Sequence, residues 1–216
     1  MTAREGDIAL QQADGEDRPT ELLLLFHGVG SSPETMRALG TRLARRRPRA
    51  WIVAVRSPEP FHTGQGWQWF SIQGIDDSNR LARASGAMPR FVTAIRHWQH
   101  ASGIGPARTA LIGFSQGAIM ALESTQQDEF LARRVIAIAG RFPRPPRVAP
   151  AHARVHLVHG EQDAVILPSF ARDAASQLEA LGAQPTLDLF TDLEHVIDSR
   201  VVQRVAERLD DGASTT

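Results

Sequence analysis

Six short apolar runs recur along the chain, most of them separated by enough residues for a helix, and this alternation narrows the fold more than any other feature. They are LLLLF (22–26), WIVAV (51–55), TALIGF (109–114), RVIAIA (134–139), RVHLVH (154–159) and TLDLF (186–190). A strand with one wet face alternates apolar and polar residues. These runs hardly alternate, so they read as strands covered on both faces. The intervening stretches read as helices over 33–46, 76–101, 116–127, 168–181 and 195–209. Ser31-Ser32-Pro33-Glu34 resembles a capping box with proline in the first turn, Pro89 predicts a break or kink, and Gly182 suits a C-terminal cap. Strand and helix repeated in this way predict an α/β fold, a doubly wound and mostly parallel sheet with helices on both faces.

The 216 residues suffice for one domain, with a core over about 20–210 and neither repeat nor interdomain linker. The polar first 20 residues leave room for one short edge strand, and the tail DDGASTT is expected to fray. RFPRPPR (141–147) is a loop by composition. A formal net charge of zero gives no support to nucleic acid or an anionic membrane as partner. All basic residues are arginine, and the densest run, RLARRRPR (42–49), reads as a solvated helix end. The chain has no cysteine, which excludes disulfides, a thiolate nucleophile and sulfur-ligated zinc. MTAREGDIAL lacks a signal-peptide core and LLLLF is too short to span a bilayer, so the expected setting is cytoplasmic.

One hydroxyl stands out in this apolar frame. Gly113-Phe114-Ser115-Gln116-Gly117 lies where the third of the six runs hands over to a helix. A side chain at that turn is lifted out at the carboxyl edge of the sheet, where such folds bind ligands. Glycines two residues to either side let strand and helix approach without Cβ clashes, which is the pattern of a nucleophile elbow. The alternative is a glycine-rich turn with a capping serine. A serine nucleophile needs a base, and the base needs an orienting acid, which in this fold follow in the order nucleophile, acid, histidine. Of eight histidines only His195 lies beyond the last run, and HGEQDAVI (159–166) puts Asp163 just past the fifth. Asp192 is the fallback acid. For the oxyanion, one N–H is expected from Gln116 and the other from Val29 in HGVG (27–30).

LLLLFHGVG (22–30), QWFSIQGI (68–75), ALIGFSQGAIMALES (110–124) and HGEQDAVI together resemble the phospholipase/carboxylesterase family of small α/β-hydrolases, which includes the acyl-protein thioesterases, over about residues 20–210. That resemblance places Ser115, Asp163 and His195 on a catalytic triad and Val29 and Gln116 on the oxyanion donors. It implies a cofactor-free serine hydrolase of short-chain acyl esters or thioesters, working through an acyl-enzyme. It also sets the aromatic loop 61–75 beside the nucleophile, where Trp69 and Phe70 are expected to wall an acyl pocket, core packing being the alternative. Glu194 departs from the pattern, since the family usually has glycine before the catalytic histidine; a carboxylate there is expected to raise the His195 pKa or narrow the mouth.

No inserted lid is expected. No metal site is read either: His97 and His100 lack a carboxylate at matching spacing, and His156 and His159 point to opposite faces of a strand. The expected partner is a small-molecule ester or thioester, with no nucleic acid and no membrane insertion; a homodimer is left open. Two further functions keep the same fold: a binding protein that lost turnover, and an acyltransferase using the same triad.

Overall fold

The computed structural model describes residues 4–12 and 19–211, so residues 212–216 of the tail expected to fray lie outside the described part. Seven strands form one sheet in the order β1-β3-β2-β6-β7-β8-β9: β1 (Ile8–Gln11), β2 (Glu21–Phe26), β3 (Ala50–Val55), β6 (Thr109–Phe114), β7 (Arg134–Ile138), β8 (Arg154–Gly160) and β9 (Thr186–Phe190). All pairs are parallel except β1 with β3, so β1 is the single antiparallel edge strand. The six apolar runs all became strands within a residue of the expected ends.

Burial explains why they do not alternate. Leu22, Leu24 and Phe26 enter a core layer beneath α2 (Arg80–Ser102), α3 (Gln116–Ser124) and α4 (Ser169–Ala180). Leu23 and Leu25 enter a second layer beneath α1 (Arg37–Arg46) and α5 (Ser199–Asp210). Both faces of β2 are therefore dry, and each of these five side chains is fully buried. This three-layer arrangement is an α/β-hydrolase fold, and no large insertion covers the sheet edge among the described residues.

Helix starts differ from expectation. Pro33–Met36 is a 3-10 turn preceding α1, and Ser32 makes no side-chain cap bond. The capping box fails because the Glu34 carboxylate pairs with Arg37 at 2.7 Å instead of turning back to the backbone. The Ser31 hydroxyl donates to Thr35 Oγ1 at 2.9 Å in its place. α2 begins at Arg80, four residues late, because Asp76 Oδ1 accepts the N–H groups of Ser78 and Asn79 at 2.9 and 3.1 Å and closes a turn first. Pro89 does not break it. Pro89 and Ser85, whose carbonyl loses its helical partner, both face outward, so the freed group is not left in the apolar core. α5 starts at Ser199 rather than 195, since Asp198 caps it by accepting from Arg200 and Val201 N–H at 2.9 and 3.0 Å. That late start leaves His195 on a loop. A small hairpin, β4 (Glu59–Pro60) with β5 (Trp67–Gln68), was not foreseen.

Candidate active site

The turn after β6 carries the first functional side chain. Ser115 has φ 53° and ψ −117°, a left-handed conformation that costs a non-glycine residue of order 1–3 kcal/mol and persists only where neighbours enforce it. They do. A Cβ on Gly113 would stand 2.4 Å from the Gly117 carbonyl carbon, and one on Gly117 would stand 2.3 Å from the Phe26 carbonyl oxygen. Only two missing side chains let β6, α3 and β2 come this close. Ser115 N–H is tied to the Ile138 carbonyl at 3.0 Å, and the Ser115 carbonyl accepts from Ile119 at 3.0 Å, so the turn is anchored on both sides.

Asp163 sits just past β8 with its side chain fully buried. Oδ1 accepts the N–H groups of Val165 and Ile166, both at 2.9 Å, which fixes the carboxylate within its own loop. Oδ2 lies 2.7 Å from His195 Nδ1. A carboxylate only accepts, so Nδ1 carries the hydrogen and Nε2 is left as the basic nitrogen. The loop holding His195 is laced to the acid's loop: Glu161 N–H donates to Phe190 O at 2.8 Å and Gln162 N–H to Leu193 O at 3.0 Å. Among the described residues no hydrogen bond joins the Ser115 hydroxyl to the His195 ring. The Phe114 ring packs on that imidazole with centroids 4.9 Å apart and so links the two. Such bonds are often long before substrate binds and tighten afterwards. Asp192, the fallback acid, points elsewhere: it is exposed and paired with Arg200 at 2.5 Å. The Glu194 side chain is exposed as well.

The amides form the other half of the site. Among the described residues neither Val29 N–H nor Gln116 N–H is taken by a protein acceptor. Gln116 opens α3, where N–H groups lack helical partners. A Cβ on Gly28 would come 3.1 Å from Ser115 Cβ, so the HGVG loop lies directly against Ser115. His27, not singled out as a site residue from sequence, holds this loop. Its Nε2 accepts Ser57 N–H at 3.2 Å, so Nδ1 carries the hydrogen and donates to Gly28 O at 2.8 Å. In a trans peptide the C=O and N–H point opposite ways, so fixing the Gly28 carbonyl also aims the Val29 N–H. Burial pushes the His27 pKa down, which keeps the ring neutral and this tautomer in place.

Gln116 has a second task. Its Oε1 accepts Trp69 N–H at 2.7 Å and its Nε2 donates to Phe70 O at 2.8 Å, clamping the aromatic loop to the elbow. The Trp69 ring itself is fully buried between Phe26 and Phe91, at centroid distances of 6.1 and 4.9 Å. Trp69 thus packs core, and Phe70, 5% exposed, lies beside it. Both border a surface depression of about 370 Å³ with Glu59, Ser71 and Arg83, which none of Ser115, Asp163 and His195 lines. A cavity of about 650 Å³ at the amino ends of β7, β8 and β9, around His156, is likewise separate from this chemistry.

Residues 10–211 match the model of the Phospholipase/Carboxylesterase family. The chain belongs to that family. It is 46% identical over 194 residues to Esterase YpfH of Escherichia coli (strain K12), covering 89% of this chain and 84% of that protein. Among solved structures, esterase PE8 superposes with a TM-score of 0.81 at 27% identity, covering 89% of this chain and 93% of that one. The Bacillus cereus carboxylesterase shares the fold at a TM-score of 0.78 and 18% identity, covering 95% of this chain and 93% of that one. Membership in the Phospholipase/Carboxylesterase family makes the chain a carboxylic ester hydrolase. Among the described residues no helix is long and apolar enough to cross a membrane.

Proposed function

We propose that the protein is a serine carboxylesterase that cleaves short-chain acyl esters or thioesters through an acyl-enzyme on Ser115. The observation that carries this reading is the 2.7 Å bond between Asp163 and His195 Nδ1, which leaves Nε2 as a base on the same sheet edge as the strained Ser115. Ser115 Oγ attacks the acyl carbonyl while His195 Nε2 takes its proton. Asp163 holds the imidazole tautomer and stabilises the imidazolium. The uncommitted N–H groups of Val29 and Gln116 receive the developing oxyanion. His195 then protonates the leaving alcohol or thiol, activates a water for the second attack, and the acid departs.

An open site suits small soluble substrates. The apolar side chains flanking the acid and base, Val165, Leu167 and Val196, are exposed, with no element closing over them among the described residues. A short acyl group can rest on such a rim, whereas a long chain would stay largely in water. Phe70 and the Trp69 backbone held by Gln116 border the acyl side in this reading. A cytoplasmic setting and cofactor-free chemistry belong to it too.

The test is fluorophosphonate labelling with peptide mapping, paired with initial rates on p-nitrophenyl esters and acyl thioesters of increasing chain length. Label on Ser115, none on Ser115→Ala, and a kcat loss approaching ~10⁶-fold in that variant are expected. Equal labelling of Ser115→Ala would falsify the assignment. Rates that keep rising with chain length would overturn the short-acyl preference.

A further inference from the structure

His159 is buried at the end of β8, its side chain 1% exposed, and the mechanism above gives it no task. Its Nε2 lies 2.7 Å from the carbonyl oxygen of Ile166 and 3.2 Å from Asp163 Oδ2. A carbonyl oxygen only accepts, so Nε2 must carry the hydrogen, and one N–H is shared between that carbonyl and the carboxylate. Asp163 Oδ2 therefore has two donors, His159 and His195, while Oδ1 has the amides of Val165 and Ile166. Four N–H groups surround a carboxylate that no water reaches.

We infer that His159 is a positioning residue, a neutral donor that pins the 163–166 loop at both ends and keeps the Asp163 carboxylate facing His195. This rests on the triad reading above. The chemistry favours a neutral donor over a cation at this point. An imidazolium beside Asp163 would satisfy its charge and weaken its hold on the imidazolium that must form on His195. Burial is the largest influence on the His159 pKa and pushes it down, outweighing the opposing pull of the Ile166 carbonyl and the Asp163 charge, which favours the uncharged ring. Among the described residues His159 and His195 are the only ionisable side chains paired with Asp163. On α4, Arg172 is drawn off to Glu161; on α5, Arg200 is held by Asp192 and Asp198.

The test compares wild type, His159→Leu and His159→Gln in the pH profile of kcat/KM on p-nitrophenyl acetate, with active sites titrated by fluorophosphonate. Glutamine places an amide N–H near the position of Nε2; leucine has no donor. His159→Leu is expected to lower kcat per titrated site about tenfold with KM within about twofold, since the side chain never meets substrate. Its acid-limb midpoint should move down by about one pH unit, because an Asp163 carboxylate no longer held facing His195 stabilises the His195 imidazolium less. His159→Gln should restore both. A leucine variant with the wild-type midpoint, or a glutamine variant no better than leucine, overturns the inference. Should the leucine variant not fold, His159→Asn, too short to reach Asp163, takes its place. Asp163→Asn separates the two levels: if it is near neutral the triad reading fails, and if it is crippled while His159→Leu matches wild type, only the role of His159 fails.

Discussion

The backbone of Gly160 lies so close to that of Leu193 that a methyl group on it would stand 2.1 Å from the Leu193 carbonyl oxygen and 2.8 Å from that of Glu194. Gly160 ends the strand before Asp163, and Leu193 and Glu194 lead into His195. The missing side chain is what lets the two loops close on one another.

Gly160→Ala is therefore expected to push the His195 loop outward while leaving the fold in place. A displacement of about 1 Å at a catalytic base typically costs on the order of 10²-fold in rate. Steady-state kinetics should show that loss in kcat, with a circular dichroism spectrum like that of wild type. Unchanged kcat would mean that the loops can separate without consequence.

Asp163 and Asp192 make opposite forecasts. Asp163→Asn removes the partner of His195 Nδ1 and should lower kcat by ~10⁴-fold. Asp192→Asn loses only an exposed, solvent-screened ion pair with Arg200 and should stay within about threefold of wild type. Kinetics on the two single variants decides it; the reverse ranking would reassign the acid.

His27 acts through a peptide bond. His27→Leu frees the Gly28 carbonyl and strands Ser57 N–H, so the Val29 amide is no longer aimed at the oxyanion. Loss of one such donor typically costs 10²–10³-fold in kcat. The effect should fall on kcat with little change in KM, because ground-state binding does not use the amide. A rise in KM at constant kcat would place His27 on substrate binding instead.

His156 links stability to pH. Burial is the main cause that lowers its pKa from 6.5 to about 4, and its Nε2 is buried without a protein partner among the described residues. The unfolded chain takes up a proton near pH 6.5 and the folded chain only near 4, so the folded state loses stability as pH falls through that window. The loss can reach about 3 kcal/mol. His27 and His159, whose pKa values are also pushed down by burial, add in the same direction. Urea unfolding at pH 7 and 4.5 should show the drop, and His156→Gln should make it shallower. Equal stability of wild type at both pH values would refute it.

Much of this protein was legible along the chain. Leu22 to Phe26 declare a doubly covered strand by composition alone, because only a layer on each face can keep five consecutive apolar side chains dry. The Ser115 turn declares itself through Gly113 and Gly117, since their role is local sterics. Chain order singles out His195 because little sequence remains after the last strand. Tertiary structure decided the rest. Whether Trp69 walls a pocket or fills the core depends on Phe26 and Phe91, 43 and 22 residues away, and it went to the core. The choice of Asp163 over Asp192 as the partner of His195 depends on where Arg200 takes Asp192 once Asp198 has delayed α5. The contacts of His27 and His159 depend on which ring nitrogen meets a carbonyl. Apolar burial leaves a periodic record in composition because it is additive and non-directional. Hydrogen bonds are directional and span segments distant in the chain, so their partners exist only once the sheet has brought those segments together.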